Sequence, residues 1–121
     1  MTVHIIALRN MKKVKKDWGY EEWIVNNELY CFKKLFIKKD HQCSIHWHKE
    51  KDETFYIESG ELELLLFGVS PLILEEGDSI RLVPNTLHRF IGKEDTMIYE
   101  ISTTHEDSDS YRVLKGGKVD F

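Results

Sequence analysis

Short strand-like segments follow one another along most of this 121-residue chain. Each is rich in branched and aromatic residues and is bounded by Gly, Pro, Asn or Asp, which is typical of strands joined by turns. The segments read EEWIVNN, ELYCFKKLFIKK, CSIHWH, ETFYIES, ELELLLFG, SPLILEEGD, SIRLVP, LHRFIGK and TMIYEISTT. No longer stretch has a sustained helical apolar period. The pattern predicts an all-β fold, either a sandwich or a closed barrel.

The length predicts a single domain over residues 1–121. The first two segments, joined by NNE, are expected to form a hairpin, and the polar tail HEDSDSYRVLKGGKVDF is expected to run over the surface. No apolar run approaches the roughly 20 residues of a membrane span. The start of the chain has its apolar residues before its lysines, the reverse of a secretory signal. We therefore expect a cytoplasmic protein with no membrane partner, whose Cys31 and Cys43 are reduced.

Charge is distributed unevenly along the chain. Residues 1–51 hold 11 Lys and Arg against 6 Asp and Glu, whereas residues 52–121 hold 6 against 15. Strands from both halves of a small β domain interleave, so this asymmetry need not produce a basic surface. No recognisable nucleic-acid-binding motif accompanies the lysines, and a nucleic acid partner is disfavoured.

Two histidines in SIHWHKEKDETFYIESG have the spacing of metal ligands. Because side chains alternate along a strand, His46 and His48 point the same way. The polar turn after them brings Glu53 beside them, and a second strand pair can return His88 to the same interior. Together these four residues predict a metal site. His4, His41 and His105 have no spaced partner and are expected to be ordinary hydrogen-bonded residues.

These residues carry a resemblance to the cupins, which are small jelly-roll barrels (double-stranded β-helices). The first cupin motif has the spacing found here in His46, His48, Glu53 and Gly60, although its leading glycine is absent. The second motif is matched by Gly77 and His88. The resemblance covers about residues 18–105, which implies a core barrel there, with the N-terminal strand and the polar tail outside it.

The second motif departs from the family pattern. Pro84 lies one place late, Asn85 replaces a glycine, and Gly92 stands in place of an asparagine. Asn is the next-best residue after Gly in a left-handed turn, so the fold is expected to tolerate Asn85.

Within the cupins, the segments DWGYEEW, VPNTLHR and YEISTTHEDSDSYRV are similar to the metal-dependent mannose-6-phosphate isomerase type. This resemblance implies a sugar-phosphate isomerase that uses a divalent metal ion, whether Zn, Mn, Fe, Ni or Co, and a small sugar or sugar phosphate as its substrate. Two alternatives stay open: a dioxygenase with Fe at the same site, and a non-catalytic metal-dependent binding module for a sugar or other small ligand.

An isomerase also needs a proton shuttle and, for a phosphorylated substrate, cations. Glu100 interrupts an apolar strand and is the first candidate for the proton shuttle, with Lys34 as the second. The substrate-binding candidates are Arg89, Arg81, Tyr56, Lys38 and Arg112. Of these, Tyr56 is the weaker because alternation places it on the face opposite Glu53.

The N-terminal strands carry more aromatic surface than a small barrel can enclose, in the segments LYCFKKLF and WIVNN. Cupins commonly pair through these strands, and we expect a homodimer.

Overall fold

The structure, a computed structural model, describes residues 2–6 and 12–120. These residues form strands and one short 3-10 turn, Asp107–Asp109. The strands are β1 (Lys12–Lys16), β2 (Gly19–Asn26), β3 (Cys31–Ile37), β4 (His41–Gln42), β5 (Ile45–His48), β6 (Glu53–Ser59), β7 (Glu61–Leu66), β8 (Leu72–Glu75), β9 (Ser79–Leu82), β10 (His88–Gly92), β11 (Thr96–Ser102), β12 (Ser110–Leu114) and β13 (Gly117–Lys118). The all-β prediction is confirmed.

The strands form two antiparallel sheets that enclose one core. One sheet has the order β1-β2-β3-β11-β6-β9. The other has the order β12-β5-β10-β4-β13, with β7 pairing with β10 and β8 joining β7. The core draws side chains from both sheets: Leu35, Phe55, Ile57 and Ile98 from the first and Leu62, Leu64, Leu74 and Phe90 from the second. This is the single-domain jelly roll that the resemblance implied.

The inward-facing side chains of the strands are mostly apolar at one end of the barrel and mostly polar at the other. On β3 the inward row passes from the apolar Ile37 and Leu35 to Lys33. On β6 the inward row passes from Ile57 and Phe55 to Glu53. On β11 it passes from Ile98 to Glu100 and then Ser102. Because Glu100 lies directly opposite Lys33 in the antiparallel register, the charged residues of adjacent strands share one end of the barrel. Each fully buried aliphatic side chain at the other end stabilises the fold by about 1.5–3 kcal/mol.

The predicted hairpin is formed by β2 and β3. The turn between them is closed by Asn27, whose N–H donates to the Tyr30 carbonyl at 3.0 Å and whose side chain accepts the N–H groups of Leu29 and Tyr30. Asn85 adopts the left-handed backbone conformation expected of it, with φ of 69°. Cys31 and Cys43 are free, buried thiols, as expected.

The polar tail lies at the surface and also joins the second sheet. Its strand β12 pairs with β5, the strand that carries His46 and His48, and so extends the second sheet. All five residues of β12 are exposed, so the segment has no alternation of buried and exposed residues by which the sequence could reveal it as a strand.

No helix in residues 2–6 and 12–120 is long and apolar enough to cross a membrane. The cytoplasmic location stays a prediction, as does the homodimer. The outward face of the first sheet carries adjacent aromatic rings, with centroids 5.7 Å apart for Phe32 and Tyr99 and 6.1 Å apart for Tyr56 and Tyr99. That face is where the predicted dimer contact would lie.

Two motif glycines allow a test of the fold. Both have positive φ, +97° at Gly60 and +91° at Gly77, but a Cβ at Gly60 would lie 2.4 Å from the Asp95 carbonyl oxygen, whereas one at Gly77 would meet nothing within 4 Å. We expect Gly77→Ala to cost about 1 kcal/mol of unfolding free energy for its backbone conformation alone. Gly60→Ala should cost about 3 kcal/mol or more, because a backbone clash is added.

Urea unfolding followed by circular dichroism measures both losses. Equal losses in the two variants would show that the close approach of Asp95 to Gly60 is unimportant.

Candidate functional site

A cavity of about 560 Å³ opens at the polar end of the barrel, and we call it the central cavity. Six of the residues selected from the sequence line it: His46, His48, Glu53, His88, Glu100 and Arg112. The volume is within the range of ordinary small-molecule sites.

The four predicted metal ligands come together in the central cavity. His46 on β5 pairs with His88 at the start of β10. The ring centroids of His46 lie 4.4 Å from His88 and 5.1 Å from His48. Glu53 begins β6 and reaches both neighbours: its Oε1 is 3.4 Å from His48 Nε2, and its Oε2 is 3.9 Å from His88 Nε2.

Backbone hydrogen bonds fix the orientation of all three imidazoles. Each Nδ1 lies within hydrogen-bond distance of a carbonyl oxygen, and because a carbonyl can only accept, each Nδ1 must donate. The carbonyls belong to Ser44 for His46 (3.0 Å), Asp109 for His48 (3.1 Å) and Thr86 for His88 (2.9 Å). In the neutral rings the lone pair is therefore on Nε2, which is the arrangement that metal-binding histidines use.

The donor set fits a divalent cation. His88 Nε2 is buried and has no hydrogen-bond partner within residues 2–6 and 12–120. The lone pair on His48 Nε2 faces a carboxylate oxygen of Glu53 that is also an acceptor. A cation between these atoms would satisfy both. Among residues 2–6 and 12–120, no three His, Cys, Asp or Glu side chains are already spaced as a finished metal site. Binding therefore requires the side chains to move closer together.

Lys51 is a charged residue of the cavity that the sequence analysis missed. Its side chain is only 2% exposed. Its Nζ lies 3.2 Å from Glu53 Oε1, 2.6 Å from Glu100 Oε2 and 3.0 Å from His105 Nδ1. These contacts occupy all three ammonium donors. One sequence feature lies close to Lys51. The turn between His48 and Glu53 has one more residue than in the isomerase type that the chain resembles.

His105 was expected to be an ordinary hydrogen-bonded residue, and it also lines the central cavity. Its Nε2 donates to Asp107 Oδ1 at 2.8 Å, which leaves Nδ1 to accept the proton of Lys51. Burial and the nearby charge of Lys51 lower the pKa of His105. The ring is thus a neutral acceptor that helps to hold the buried ammonium.

Burial and charge set the protonation states around the candidate metal site. Burial, reinforced by the neighbouring His88, lowers the pKa of His46 to about 3. Burial also lowers the pKa of His88. Burial alone would raise the pKa of Glu53, but the positive charge of the adjacent Lys51 helps to hold that pKa below its usual value. Neutral His46 and His88 beside an ionised carboxylate are the forms in which these groups bind metals.

The remaining predicted residues lie outside the central cavity. Arg89 is buried and donates to the backbone carbonyls of Cys43 and Lys115, both at 2.9 Å. Lys34 and Tyr56 face outward on the first sheet, since their neighbours on β3 and β6 point inward. Arg81 pairs with Asp52 at the surface, and Lys38 lines a separate groove with Tyr20 and Phe36. These positions give the five residues no contact with the candidate metal site.

The tail also contributes to the site, through Asp109. Its carboxylate accepts the backbone N–H groups of Lys49, Glu50 and Lys51 at 2.9–3.0 Å, and its carbonyl accepts His48 Nδ1–H. One residue therefore holds both the turn that carries Lys51 and the orientation of a candidate ligand. No pattern in the sequence links Asp109 to this turn.

The Asp109 clamp can be tested by Asp109→Ala. We expect a loss of about 1–3 kcal/mol of unfolding free energy, because three backbone donors lose a charged acceptor. Glu106→Ala is the matched control, since the Glu106 side chain makes no capping hydrogen bond to the same 3-10 turn. Denaturant titration should show a loss for Asp109→Ala alone, and similar curves for both variants would contradict the clamp.

The stability of the metal-free protein should fall as pH decreases from about 7 to 5. Because the pKa of His46 is about 3 in the folded protein against 6.5 as its ordinary value, the unfolded chain binds more protons in this range. This residue alone should cost about 2 kcal/mol by about pH 5. Urea titrations in the presence of a chelator measure the slope, and His46→Asn should reduce it. An unchanged slope in this variant would contradict the assignment.

Comparison with known proteins identifies the family. The family described as "Cupin domain" matches residues 35–102, more than half of the chain. No curated protein sequence matches the chain.

Solved structures share the fold. An RmlC-like cupin from Shewanella frigidimarina has a TM-score of 0.72 at 17% identity, over 88% of this chain and 96% of that one. KdgF from a Halomonas species has a TM-score of 0.71 at 17% identity, over 83% and 90%. Oxalate decarboxylase from Bacillus subtilis, a protein with Mn(II) centres, has a TM-score of 0.74 at 14% identity, over 86% of this chain and 30% of its own. At these identities the likeness shows the fold alone, and it agrees with the family match: this chain belongs to the cupin family.

Proposed function

We propose that this cupin binds a divalent metal ion through His46, His48, Glu53 and His88 and isomerises a sugar phosphate between its aldose and ketose forms. The observation that supports the metal site is the convergence of three Nε2 lone pairs and one carboxylate in the central cavity. The ion is Zn, Mn, Fe, Ni or Co, because imidazole and carboxylate suit each of them. The isomerase assignment rests in addition on the sequence resemblance described above.

The ion would act as a Lewis acid on the substrate carbonyl and the adjacent hydroxyl. The chain itself must move a proton between neighbouring carbons, and Glu100 is the candidate. Its Oε2 is held by Lys51 Nζ at 2.6 Å. Ser102 Oγ also donates to Oε2, at 3.4 Å, so Oε1 is the atom that would accept the proton. Glu100 as a whole is only 5% exposed, which limits its contact with bulk water.

The phosphate end of the substrate would lie toward Arg112. Arg112 lines the central cavity but is exposed, which places it at the mouth. Within the described part of the chain it makes no ion pair, whereas Lys115 pairs with Asp17 and Lys16 pairs with Glu21. A guanidinium without a carboxylate partner is suited to bidentate binding of a phosphate.

The metal site predicts that His46→Ala and His88→Ala will lose both bound metal and activity. Each removes one of four ligands and should weaken metal binding by about tenfold to a hundredfold or more. His41→Ala is the control, because its ring bonds only to the Lys39 carbonyl and does not line the cavity. Elemental analysis and an assay with mannose 6-phosphate and fructose 6-phosphate measure the two effects.

Metal content that is unchanged in both histidine variants would reject the site. Binding of the sugar phosphate without turnover would favour the binding module, and oxygen consumption by the iron form would favour a dioxygenase.

Arg112→Ala should raise KM for a sugar phosphate by about tenfold with little change in kcat, because it removes a contact made equally in the ground and transition states. Arg81→Ala is the control, since Arg81 is an exposed arginine paired with Asp52 outside the cavity. Steady-state kinetics with phosphorylated and unphosphorylated sugars shows whether the increase in KM depends on the phosphate group. A KM that rises equally for both substrates would contradict a phosphate contact.

A further inference from the structure

We propose that Lys51 is a positioning residue that weakens divalent metal binding by holding Glu53 and placing a positive charge beside the ligands. The inference rests on the proposed metal site and goes beyond it by assigning the affinity of that site to a residue that is not a ligand. Lys51 would act through Glu53, the one carboxylate in the proposed ligand set.

Lys51 would compete with a bound ion for one oxygen atom of Glu53. Glu53 Oε1 lies 3.2 Å from Lys51 Nζ and 3.4 Å from His48 Nε2. An ion held by His48 and Glu53 would have to share that oxygen with the ammonium or draw the carboxylate away from it. Either way, the ion binds a donor whose charge Lys51 has already partly neutralised.

Lys51 would also repel a bound cation through its own positive charge. Lys51 is buried, and its positive charge is compensated by Glu53 and Glu100 inside the barrel. A divalent ion would add two positive charges to the same enclosed space, where the repulsion between cations is screened much less than in water. The same four ligands without Lys51 should therefore bind the ion more tightly.

Lys51 has little freedom to withdraw from Glu53. Its backbone N–H donates to Asp109 Oδ2 at 3.0 Å, and Lys49 and Glu50 bond to the same carboxylate. His105 accepts the third proton of the ammonium at 3.0 Å. Both the backbone and the side chain of Lys51 are thus held while the ligands move to close around an ion.

The test is titration of Mn²⁺ into the chelator-treated full chain by isothermal calorimetry. The proteins are the wild type, Lys51→Met, Glu100→Gln, and the double variant Lys51→Met with Glu100→Gln. We expect Lys51→Met to bind Mn²⁺ more than about tenfold more tightly than the wild type. A purely structural role for Lys51 would give the opposite sign, because a loosened Glu53 binds metal less well.

The double variant guards against loss of folding in Lys51→Met, in which Glu53 and Glu100 would face each other without a cation. It removes the charge of Glu100 together with that of Lys51, and its proper reference is Glu100→Gln. Tighter binding in the double variant than in Glu100→Gln supports the proposal even where Lys51→Met does not fold. Equal or weaker binding overturns it.

His46→Ala separates the failure of this proposal from that of the proposed function. If His46→Ala abolishes Mn²⁺ binding while loss of Lys51 leaves the affinity unchanged, the metal site stands and the role of Lys51 is wrong. If Mn²⁺ binds equally to the wild type and to His46→Ala, the metal site and the role of Lys51 both fail.

Discussion

The pairing of buried charges is the constraint on which this structure depends. A small barrel can enclose ionised side chains only where each has partners, because an unpaired buried charge costs several kcal/mol. The antiparallel register places Lys33, Glu100 and Glu53 on neighbouring strands. Lys33 pairs with Glu21 on β2, with Nζ 3.5 Å from Oε1. Lys51 then completes the arrangement from the loop before β6. The polar end of the barrel is therefore a charged network supported by an apolar core.

The same constraint connects the fold with the proposed chemistry. Backbone carbonyls orient the three imidazoles, and Lys51 keeps the Glu53 carboxylate charged. Orientation is thus achieved by the folded chain itself, which reduces the entropy that ligand binding must overcome. The apolar end of the core packs behind these groups through Phe55 and Phe90, whose ring centroids are 4.7 Å apart in an edge-to-face contact.

The sequence predicts features that depend on neighbouring residues better than features that depend on contacts between distant segments. Alternation within a strand is local, so the strands and the shared direction of His46 and His48 could be predicted. The four candidate ligands could be selected because their spacing is a family pattern, and they line one cavity. The roles of Lys51 and Asp109 could not be predicted, because they depend on contacts between segments about 58 residues apart in the chain. The outward placement of Lys34 and Arg81 depends on which face of each strand meets the core, and arginine or lysine in a strand gives no sign of that by itself.

The tail strand connects the exterior of the protein with its candidate metal site. Tyr111 stacks on Trp47 with ring centroids 4.3 Å apart. This contact joins the tail to β5, the short strand that carries both motif histidines. The family match ends at residue 102, before this strand begins. A substitution in this outer strand could thus shift the imidazoles of β5 while the cupin barrel itself stays unchanged.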